Sequence, residues 1–228
     1  MRANRPLLLG HRGARATNSI PENTFASFDL ALEQGCDGFE FDVRLTADGR
    51  ELICHDPEYH GIQVVRAKAH QLQGIPTLPA VIERYRQRAF LDIELKVAGL
   101  EKRTCEIVGA YLPEKGYVIS SFLPGVLREL HAMSGAMQLG LICERRDQLA
   151  LWDKLPLTHL MPHHKLLTES LAIEVHGAGM QLFVWTVNKS DDMRRFADWG
   201  LDGIISDETA LLVGTLKTEG RPGNVKSP

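Results

Sequence analysis

The chain has 228 residues, of which 44% are hydrophobic and 24% are charged, and its formal net charge is −3 at pH 7. These values are typical of a globular protein, and the negative balance argues against a nucleic-acid binder that depends on phosphate electrostatics. No apolar run approaches the length of a membrane span, so we expect neither nucleic-acid binding nor stable membrane insertion.

The N-terminal segment is basic and then apolar. Its apolar part, Leu7–Gly10, is too short for a signal peptide and is interpreted as the first strand, so we expect a cytoplasmic protein. Apolar residues then recur at helical spacing from Asn23 to Gln34 and stop before Gly35, which predicts a helix. The four cysteines show no CxxC spacing and lie in or beside apolar segments, so we expect buried, reduced thiols. They are Cys36, Cys54, Cys105 and Cys143.

A hairpin is predicted next, with strands Gly38–Leu45 and Glu51–Cys54 joined by a tight Asp-Gly turn signal. Because side chains alternate across a strand, Glu40 and Asp42 share one face, opposite large apolar residues. Carboxylates that project from an apolar strand cost stability unless something neutralises them. A hard divalent cation, which takes oxygen ligands, is the simplest such partner.

The same alternation recurs in the predicted strand Phe90–Lys96, where Asp92, Glu94 and Lys96 share one face. Strands and helices then alternate to the end of the chain, whereas the earlier segment from Pro57 to Gln73 fits neither pattern. The further predicted strands are Tyr117–Ser121, Gln138–Cys143, His159–Pro162, Gln181–Val187 and Gly203–Ile205. The further predicted helices are Leu78–Arg88, Glu101–Leu112, Pro124–Met133, Asp147–Leu151, Thr168–His176, Ser190–Trp199 and Glu208–Val213.

Eight rounds of strand then helix, with no linker between them, predict an α/β fold: a (β/α)8 TIM barrel with a short hairpin and cap inserted after strand two. We expect one barrel domain at residues 1–214 and a flexible C-terminal tail at residues 215–228. A doubly wound open sheet is the alternative, but no glycine-rich dinucleotide loop follows the first strand.

Polar residues fall repeatedly at the carboxyl ends of the predicted strands, where the active sites of such barrels lie. His11 and Arg12 follow strand one, Glu40 and Asp42 lie late in strand two, His55 ends its return strand, Glu94 and Lys96 end strand three, and Trp185 ends strand seven. This recurrence predicts a functional site at that end of the barrel.

Eight short motifs, each weak alone, also occur in a specific order. They are His11-Arg12-Gly13, Pro21-Glu22-Asn23-Thr24, Glu40-Phe41-Asp42-Val43, Thr46-Ala47-Asp48-Gly49, His55-Asp56, Glu94-Leu95-Lys96, Ser121-Phe122 and Trp185-Thr186-Val187-Asn188. Together, from about Leu8 to Asp207, they resemble the glycerophosphodiester phosphodiesterase family.

The resemblance implies a (β/α)8 barrel and metal-dependent hydrolysis of a small-molecule glycerophosphodiester to glycerol 3-phosphate and an alcohol. By the same resemblance, the metal ligands are Glu22, Glu40, Asp42 and Glu94, the catalytic residues are His11 and His55, and the phosphate-binding cations are Arg12 and Lys96. All-oxygen ligands suit a divalent metal ion, Mg²⁺ or Ca²⁺. The oligomeric state stays open.

Elementary chemistry agrees with these roles. Three carboxylates (Glu40, Asp42 and Glu94) against two cations leave one negative charge, and a divalent ion reverses that sign in favour of an anionic diester. Two imidazoles, which titrate near neutral pH, can remove a proton from the attacking oxygen and give one to the leaving oxygen. The resemblance suggests the glycerol 2-hydroxyl as the first nucleophile, and direct attack by water is the alternative.

Several of these residues also have structural interpretations. Glu22 could cap the helix that begins near Asn23, and Lys96 could serve only as an ion-pair partner of Glu94. Trp185 could belong to the barrel core instead of forming a wall against the glycerol carbons. The pair Arg145-Arg146, which stands between Glu144 and Asp147, is interpreted as a solvated helix start.

The segment Pro57–Gly74 departs from the family pattern because it is short and lacks an Arg-Thr-Thr-like sequence. The preference for an alcohol head group is therefore not carried over, and a short cap suggests an open pocket with broad tolerance. Two other functions are considered, a lysophospholipase D-like enzyme for lipid diesters and a non-catalytic barrel that binds phosphoglycerol groups.

Overall fold

The computed structural model describes residues 5–217, and in this part of the chain eight parallel strands close into a barrel. The strands are β1 (Leu7–Gly10), β2 (Gly38–Leu45), β3 (Glu51–Ile53), β4 (Glu58–Tyr59), β5 (Ile62–Gln63), β6 (Phe90–Leu95), β7 (Tyr117–Ser121), β8 (Leu139–Cys143), β9 (His159–Pro162), β10 (Gln181–Val184) and β11 (Gly203–Ser206). The three strands β3 to β5 belong to the insertion, and the other eight form the barrel, which closes where β1 pairs with both β2 and β11.

Helices follow the barrel strands in turn. They are α1 (Phe25–Glu33), α2 (Leu78–Tyr85), α3 (Glu101–Ala110), α4 (Pro124–Met133), α5 (Arg146–Leu149), α6 (Glu169–Gly177), α7 (Ser190–Asp198) and α8 (Thr209–Lys217). The predicted (β/α)8 barrel is therefore confirmed. Within residues 5–217 no helix combines the length and the apolar character needed to cross a lipid bilayer.

An aromatic cluster outside the barrel fixes which face of β2 points inward. Phe28 of α1 stacks on Phe39 with ring centroids 4.2 Å apart, and Tyr85 of α2 meets Phe39 edge-on at 4.9 Å. These rings are fully buried, and burying each contributes about 2 kcal/mol. A one-residue slip of β2 would expose them, so Glu40 and Asp42 are forced into the barrel.

The strand β6 lies beside β2 in parallel, and its register places acidic residues opposite one another. Glu40 pairs with Asp92, and Asp42 pairs with Glu94. The barrel interior is otherwise filled by a separate apolar cluster that includes Val118, and its other members are Leu9, Phe90, Ile142, Met161, Phe183 and Ile205.

The insertion after β2 has a small core of its own. Its backbone turns between β4 and β5 at His60 and Gly61, which both have positive φ, 48° and 80°. Two central residues with positive φ are what a tight two-residue hairpin requires. Two short 3₁₀ turns, Val64–Arg66 and Ala69–Gln71, complete the cap. Its apolar side chains pack together as Leu52, Cys54, Val64, Ala67 and Leu72.

Several predicted boundaries differ from the structure by one to four residues, among them the end of the last helix and the end of strand β10. The last helix was expected to end at Val213 and the tail to begin at residue 215, but α8 continues through Gly214 to Lys217. Packing overrides the poor helix propensity of glycine there, because Thr215 is buried and the Lys217 amine binds the Gly35 carbonyl oxygen. Residues 218–228 of the predicted tail lie outside the described residues.

The second boundary is that of strand β10, which ends at Val184 and not at Val187. The regular ladder between β10 and β11 stops at Val184 and Ile204, although the backbone N–H of Val187 still donates to the Ile205 carbonyl. Trp185 consequently lies just beyond the strand, where a single bridge joins it to His163.

Candidate active site

Three carboxylates from two neighbouring strands converge at the carboxyl end of the barrel. Glu40 and Asp42 project from β2 and Glu94 projects from β6, and one oxygen of each lies within 4.8 Å of the other two. All three residues are buried, with exposed fractions of 3%, 1% and 7%. This convergence follows from the alternation of side chains along two hydrogen-bonded strands.

Burial and mutual repulsion oppose the ionisation of these groups. Burial, followed by the charges of Asp42 and Glu94, raises the pKa of Glu40 well above its ordinary value. Burial and the charge of Asp42 also raise the pKa of Glu94 to about 7. Burial acts on Asp42 as well, but the neighbouring cations Lys96 and Arg12 outweigh it and lower the pKa of that group. The neighbouring cations therefore do not supply enough positive charge to keep all three carboxyl groups ionised.

One oxygen of the cluster has neither a hydrogen-bond nor an ion-pair partner among residues 5–217. Glu40 Oε2 accepts a hydrogen bond from the backbone N–H of Arg12 at 2.9 Å, whereas Oε1 is buried and bonds to no described residue. Leaving such a group unsatisfied costs about 1–3 kcal/mol. Three buried carboxylates with an unsatisfied oxygen fit a divalent cation by donor type and spacing.

A fourth acid, Asp92, lies opposite Glu40 in the register of β2 and β6. Burial raises the pKa of Asp92 to about 8, although the hydroxyl of Ser120, which donates to Oδ1 at 2.6 Å, works in the other direction. Burial therefore disfavours the ionised form of Asp92, as it does for Glu40 and Glu94.

The backbone at Arg12 is held in an unusual conformation that aims both its N–H and its side chain at the carboxylates. Its φ is 53°, in the left-handed region. The guanidinium donates to Glu22 at 2.8 Å and lies 3.3 Å from Asp42. Gly13 follows with a φ of 83°, and a Cβ there would lie 2.6 Å from the carbonyl carbon of Ser27, so only glycine fits beside α1.

Lys96 also points into the carboxylate cluster. Its Nζ atom lies 2.6 Å from Glu94 and 3.2 Å from Asp42. The same atom lies 5.7 Å from the centre of the Phe122 ring, on the wall of the adjoining cavity. Lys96 is therefore both an ion-pair partner of Glu94 and a cation that a ligand in the cavity can reach.

His11 is held at its Nδ1 atom by a carboxylate that directly follows the last barrel strand. Nδ1 lies 2.7 Å from Asp207 Oδ1, and Nε2 lies 3.8 Å from Glu40. Asp207 is itself fixed by Asn188 and Arg15, which donate to it at 2.7 and 3.1 Å. Burial opposes its ionisation, but the contacts with His11, Asn188 and Arg15 lower the pKa of Asp207 far below its usual range.

His55 shows the same arrangement at the end of the return strand. Its Nδ1 atom lies 2.8 Å from Asp56. Burial lowers the pKa of His55, and the Arg12 and Lys96 charges act in the same direction against the opposing effect of Asp42. In both histidines a carboxylate binds Nδ1, so the Nε2 atom remains for a ligand.

These groups line a cavity of about 490 Å³, and apolar residues, among them Phe122, Ile142 and Trp185, complete its lining. Phe122 and Trp185 form an aromatic corner, with ring centroids 5.6 Å apart and planes nearly perpendicular. The indole N–H of Trp185 donates to the Met161 carbonyl at 2.9 Å, which fixes the ring. Trp185 thus lines the cavity and also packs against the apolar cluster inside the barrel, and its contact with the substrate stays a prediction.

The family comparison agrees with this geometry. A model of the glycerophosphoryl diester phosphodiesterase family matches residues 11–74 and 60–211, which together span most of the chain. The chain belongs to this family. Membership confirms the resemblance found in the sequence and the predicted enzyme class, a phosphoric diester hydrolase that acts on glycerophosphodiesters.

Relatives and solved structures of the family match nearly the whole chain. The glycerophosphodiester phosphodiesterase of Caldanaerobacter subterraneus subsp. tengcongensis is 29% identical over 242 residues, which cover 94% of this chain and 99% of that protein. The structure of the Thermotoga maritima glycerophosphodiester phosphodiesterase covers 92% of this chain and 98% of its own, with a TM-score of 0.80 at 26% identity. A phosphodiesterase from Oleispira antarctica, solved in complex with the product sn-glycerol-3-phosphate, covers 93% and 97% with a TM-score of 0.82 at 24% identity.

Most of the residues predicted for the family's chemistry meet in one place, but Glu22 does not join the carboxylate group. Both of its oxygens are bound by arginines, Oε1 by Arg12 at 2.8 Å and Oε2 by Arg15 at 2.7 Å. It does not cap the helix either, since Thr24 is the N-cap of α1 and accepts from Ser27. Its role as a metal ligand stays a prediction without support from this geometry.

The structure also brings in residues that the sequence analysis did not assign to the site. Asn23, with a φ of 58°, donates to Asp42 at 2.8 Å and so orients a predicted ligand. Asp207 orients His11. Arg145, predicted to be part of a solvated helix start, lines the cavity together with Glu144. Asn23 belongs to the motif Pro21-Glu22-Asn23-Thr24, and its position next to Glu22 in that motif could have indicated a place in the site. No motif of the sequence analysis contains Asp207.

Proposed function

We propose that the chain hydrolyses glycerophosphodiesters to sn-glycerol 3-phosphate and an alcohol in a metal-dependent reaction, with His11 and His55 as the two proton-transfer groups. The observation that carries the proposal is the convergence of Glu40, Asp42 and Glu94, whose oxygens lie within 4.8 Å of one another in a buried cluster. The two histidines border the same cavity.

The three carboxylates would hold one divalent ion, Mg²⁺ or Ca²⁺. The buried oxygen Glu40 Oε1, which has no hydrogen-bond partner among the described residues, supports this choice. When bound, such an ion polarises a phosphoryl oxygen and lowers the pKa of a hydroxyl or water beside it. Asn23 holds Asp42 in position for this role, because its amide binds both the carboxylate and the backbone N–H of Asp42.

Arg12 and Lys96 are proposed to bind the phosphate. Both side chains are largely buried and line the cavity, and a planar guanidinium can bridge two phosphoryl oxygens. Their charges are partly compensated by Glu22, Asp42 and Glu94. The anionic diester therefore competes with protein carboxylates for these cations, and Trp185 provides an apolar surface for the glycerol carbons.

The two histidines carry the proton transfers. Because Asp207 and Asp56 accept from Nδ1, each ring presents Nε2 to the substrate. One histidine removes the proton of the attacking oxygen, and the other donates a proton to the oxygen of the leaving alcohol. The attacking oxygen is the substrate's glycerol 2-hydroxyl or a water molecule, and ³¹P NMR during turnover separates the two because only the first route gives a cyclic phosphate.

Release of glycerol 3-phosphate from glycerophosphoethanolamine tests the proposal. We expect activity with Mg²⁺ or Ca²⁺, loss of activity with EDTA, and recovery when the ion is restored. His11→Ala and His55→Ala should each lower kcat by about 10²–10⁴-fold. His131→Ala is the matched control, because His131 is exposed on α4, away from the cavity.

Losses below about tenfold in either site variant would contradict the assigned proton transfers. Failure to release product under any metal condition would favour the alternative of a phosphoglycerol-binding barrel. Faster release of choline from lysophosphatidylcholine than from glycerophosphocholine would favour the lysophospholipase D-like alternative, for which the cap offers the exposed side chains Ile62 and Val65.

A cytoplasmic location is part of the proposal, and it is supported by four cysteines that are all free. Fractionation of the producing cell tests it. Nucleic acid is not proposed as a partner.

A further inference from the structure

Arg15 connects two carboxylates that each hold a residue of the proposed active site. Its Nε–H donates to Glu22 Oε2 at 2.7 Å, and its Nη1 group donates to Asp207 Oδ1 at 3.1 Å. The other oxygen of Glu22 accepts from Arg12 at 2.8 Å, and the same oxygen of Asp207 lies 2.7 Å from His11 Nδ1. Arg15 is therefore the middle member of a chain of contacts that joins a proposed phosphate-binding cation to a proposed proton-transfer group.

The backbone on both sides of Arg15 is fixed. The N–H of Ala14 donates to the Ser27 carbonyl at 3.1 Å, and the N–H of Ala16 donates to the Asp207 carbonyl at 3.2 Å. These bonds tie the loop to α1 and to the segment that follows β11. We therefore expect that replacement of the Arg15 side chain removes its ion pairs without releasing the loop.

Arg15 has no access to the cavity in which the substrate is proposed to bind. His11 and Arg12 line that cavity of about 490 Å³, whereas Arg15, Glu22 and Asp207 line a separate polar recess of about 540 Å³. An effect of Arg15 on the reaction must consequently pass through the residues that it contacts. This makes Arg15 a positioning residue and not a catalytic one.

The contact with Glu22 has the larger consequence for an anionic substrate. The Glu22 side chain is 35% exposed, and without Arg15 its one ion-pair partner among the described residues would be Arg12. A carboxylate held on one side only can turn, and its charge would then act on Arg12 alone. Both changes weaken the grip of the Arg12 guanidinium on a phosphate, because a planar fork binds two oxygens only in a fixed orientation.

We propose that Arg15 holds Glu22 so that the Arg12 guanidinium stays oriented toward the phosphate of the substrate. The inference rests on the proposed function and goes beyond it by assigning a role to a residue outside the substrate cavity. It also gives Glu22 a role in the reaction that does not require it to bind the metal.

Arg15→Met tests the inference because it removes the charge and keeps an unbranched side chain. At saturating metal we expect the KM for glycerophosphoethanolamine to rise by about two- to fivefold, the effect of a partly exposed ion pair. The dissociation constant of sn-glycerol 3-phosphate, measured by calorimetric titration, should rise by the same factor. The change in kcat should be smaller, and the affinity for the metal should stay unchanged.

Arg103→Met is the matched control. Arg103 also binds two carboxylates, Glu51 at 2.8 Å and Glu106 at 3.2 Å, and its side chain is 51% exposed against 41% for Arg15. It is not among the residues that line the cavity or the recess. The control removes the same charge from the protein, so we expect KM and the dissociation constant to stay at their wild-type values.

Glu22→Gln separates orientation from a general effect of charge. If Arg15 acts through Glu22, Arg15→Met should change KM little further in the Glu22→Gln protein, whereas a general effect of charge would be additive. Additive changes, an unchanged dissociation constant in Arg15→Met, a loss confined to kcat, or an equal effect of Arg103→Met each overturn the inference. A wild-type protein that binds sn-glycerol 3-phosphate but hydrolyses no diester refutes only the proposed hydrolysis, and one that does not bind it refutes both.

Discussion

Replacement of Asp207 by asparagine tests how His11 is oriented. Asp207 accepts hydrogen bonds from His11 and Arg15 at one oxygen and from Asn188 at the other. An asparagine presents one amino group in place of an oxygen, so one donor must face another donor. Asn188 cannot easily turn to relieve this, because its own carbonyl oxygen already accepts from Ser206 and from the backbone N–H of Asp207.

The size of the effect follows from the contact that is lost. A charge-assisted hydrogen bond contributes about 1.5–3 kcal/mol, and each 1.36 kcal/mol in the activation free energy is a factor of ten in rate. We therefore expect Asp207→Asn to lower kcat by about 10- to 150-fold. KM should change less than kcat, because Asp207 is not assigned to substrate binding.

Steady-state release of glycerol 3-phosphate at saturating metal measures both constants. Asp202→Asn is a matched control, since Asp202 also binds a histidine, His176 Nε2 at 3.0 Å, but it precedes β11 at the opposite end of the barrel. If Asp207→Asn keeps more than a third of the wild-type kcat, or if Asp202→Asn loses as much, the orienting role is wrong. Thermal unfolding of both variants shows whether either loss reflects an altered fold.

Three further predictions concern metal affinity, packing and acid stability. Asn23→Ala should weaken metal binding by about 10- to 100-fold by releasing Asp42, as measured by calorimetric titration, and an unchanged affinity would argue against the orienting amide. Gly13→Ala should lower the free energy of unfolding by about 2 kcal/mol or more in denaturant titrations, because the position has positive φ and no room beside Ser27. Burial lowers the pKa of His159 from 6.5 to about 4. The folded state therefore binds a proton less readily than the unfolded state, and protonation lowers the free energy of unfolding. This loss is absent above pH 6.5, grows as the pH falls toward 4, and reaches about 3 kcal/mol in total. His159→Leu should flatten that part of the pH–stability profile, and parallel profiles would contradict the assignment.

The carboxylate cluster could be predicted from the sequence because its rules are local. Alternation decides that Glu40 and Asp42 leave β2 on one face, and the barrel pattern makes the next barrel strand its neighbour. The exact register of β2 and β6, which places Asp42 opposite Glu94, could be determined only from the structure. The same reasoning placed His11 and Lys96 at strand ends.

Asp207 could not be found in this way. Its partner His11 is 196 positions away in the chain, and an aspartate just after a barrel strand has no local pattern that separates it from a solvated one. Glu22 shows the opposite difficulty. The resemblance implied a metal ligand, but Arg12 and Arg15 take both of its oxygens, and that competition depends on the left-handed turn at Arg12.

Packing outside the barrel stabilises an arrangement of carboxylates inside it that is electrostatically unfavourable. Phe28, Phe39 and Tyr85 gain burial only when β2 faces them, and that orientation forces Glu40 and Asp42 into each other's vicinity. The raised pKa of Glu40 shows that this arrangement opposes ionisation in the absence of an ion. If Arg12 and Lys96 neutralised the three carboxylates fully, a metal ion would gain little by binding there. The negative charge that these two cations leave uncompensated is therefore the source of the metal affinity that the proposed reaction requires.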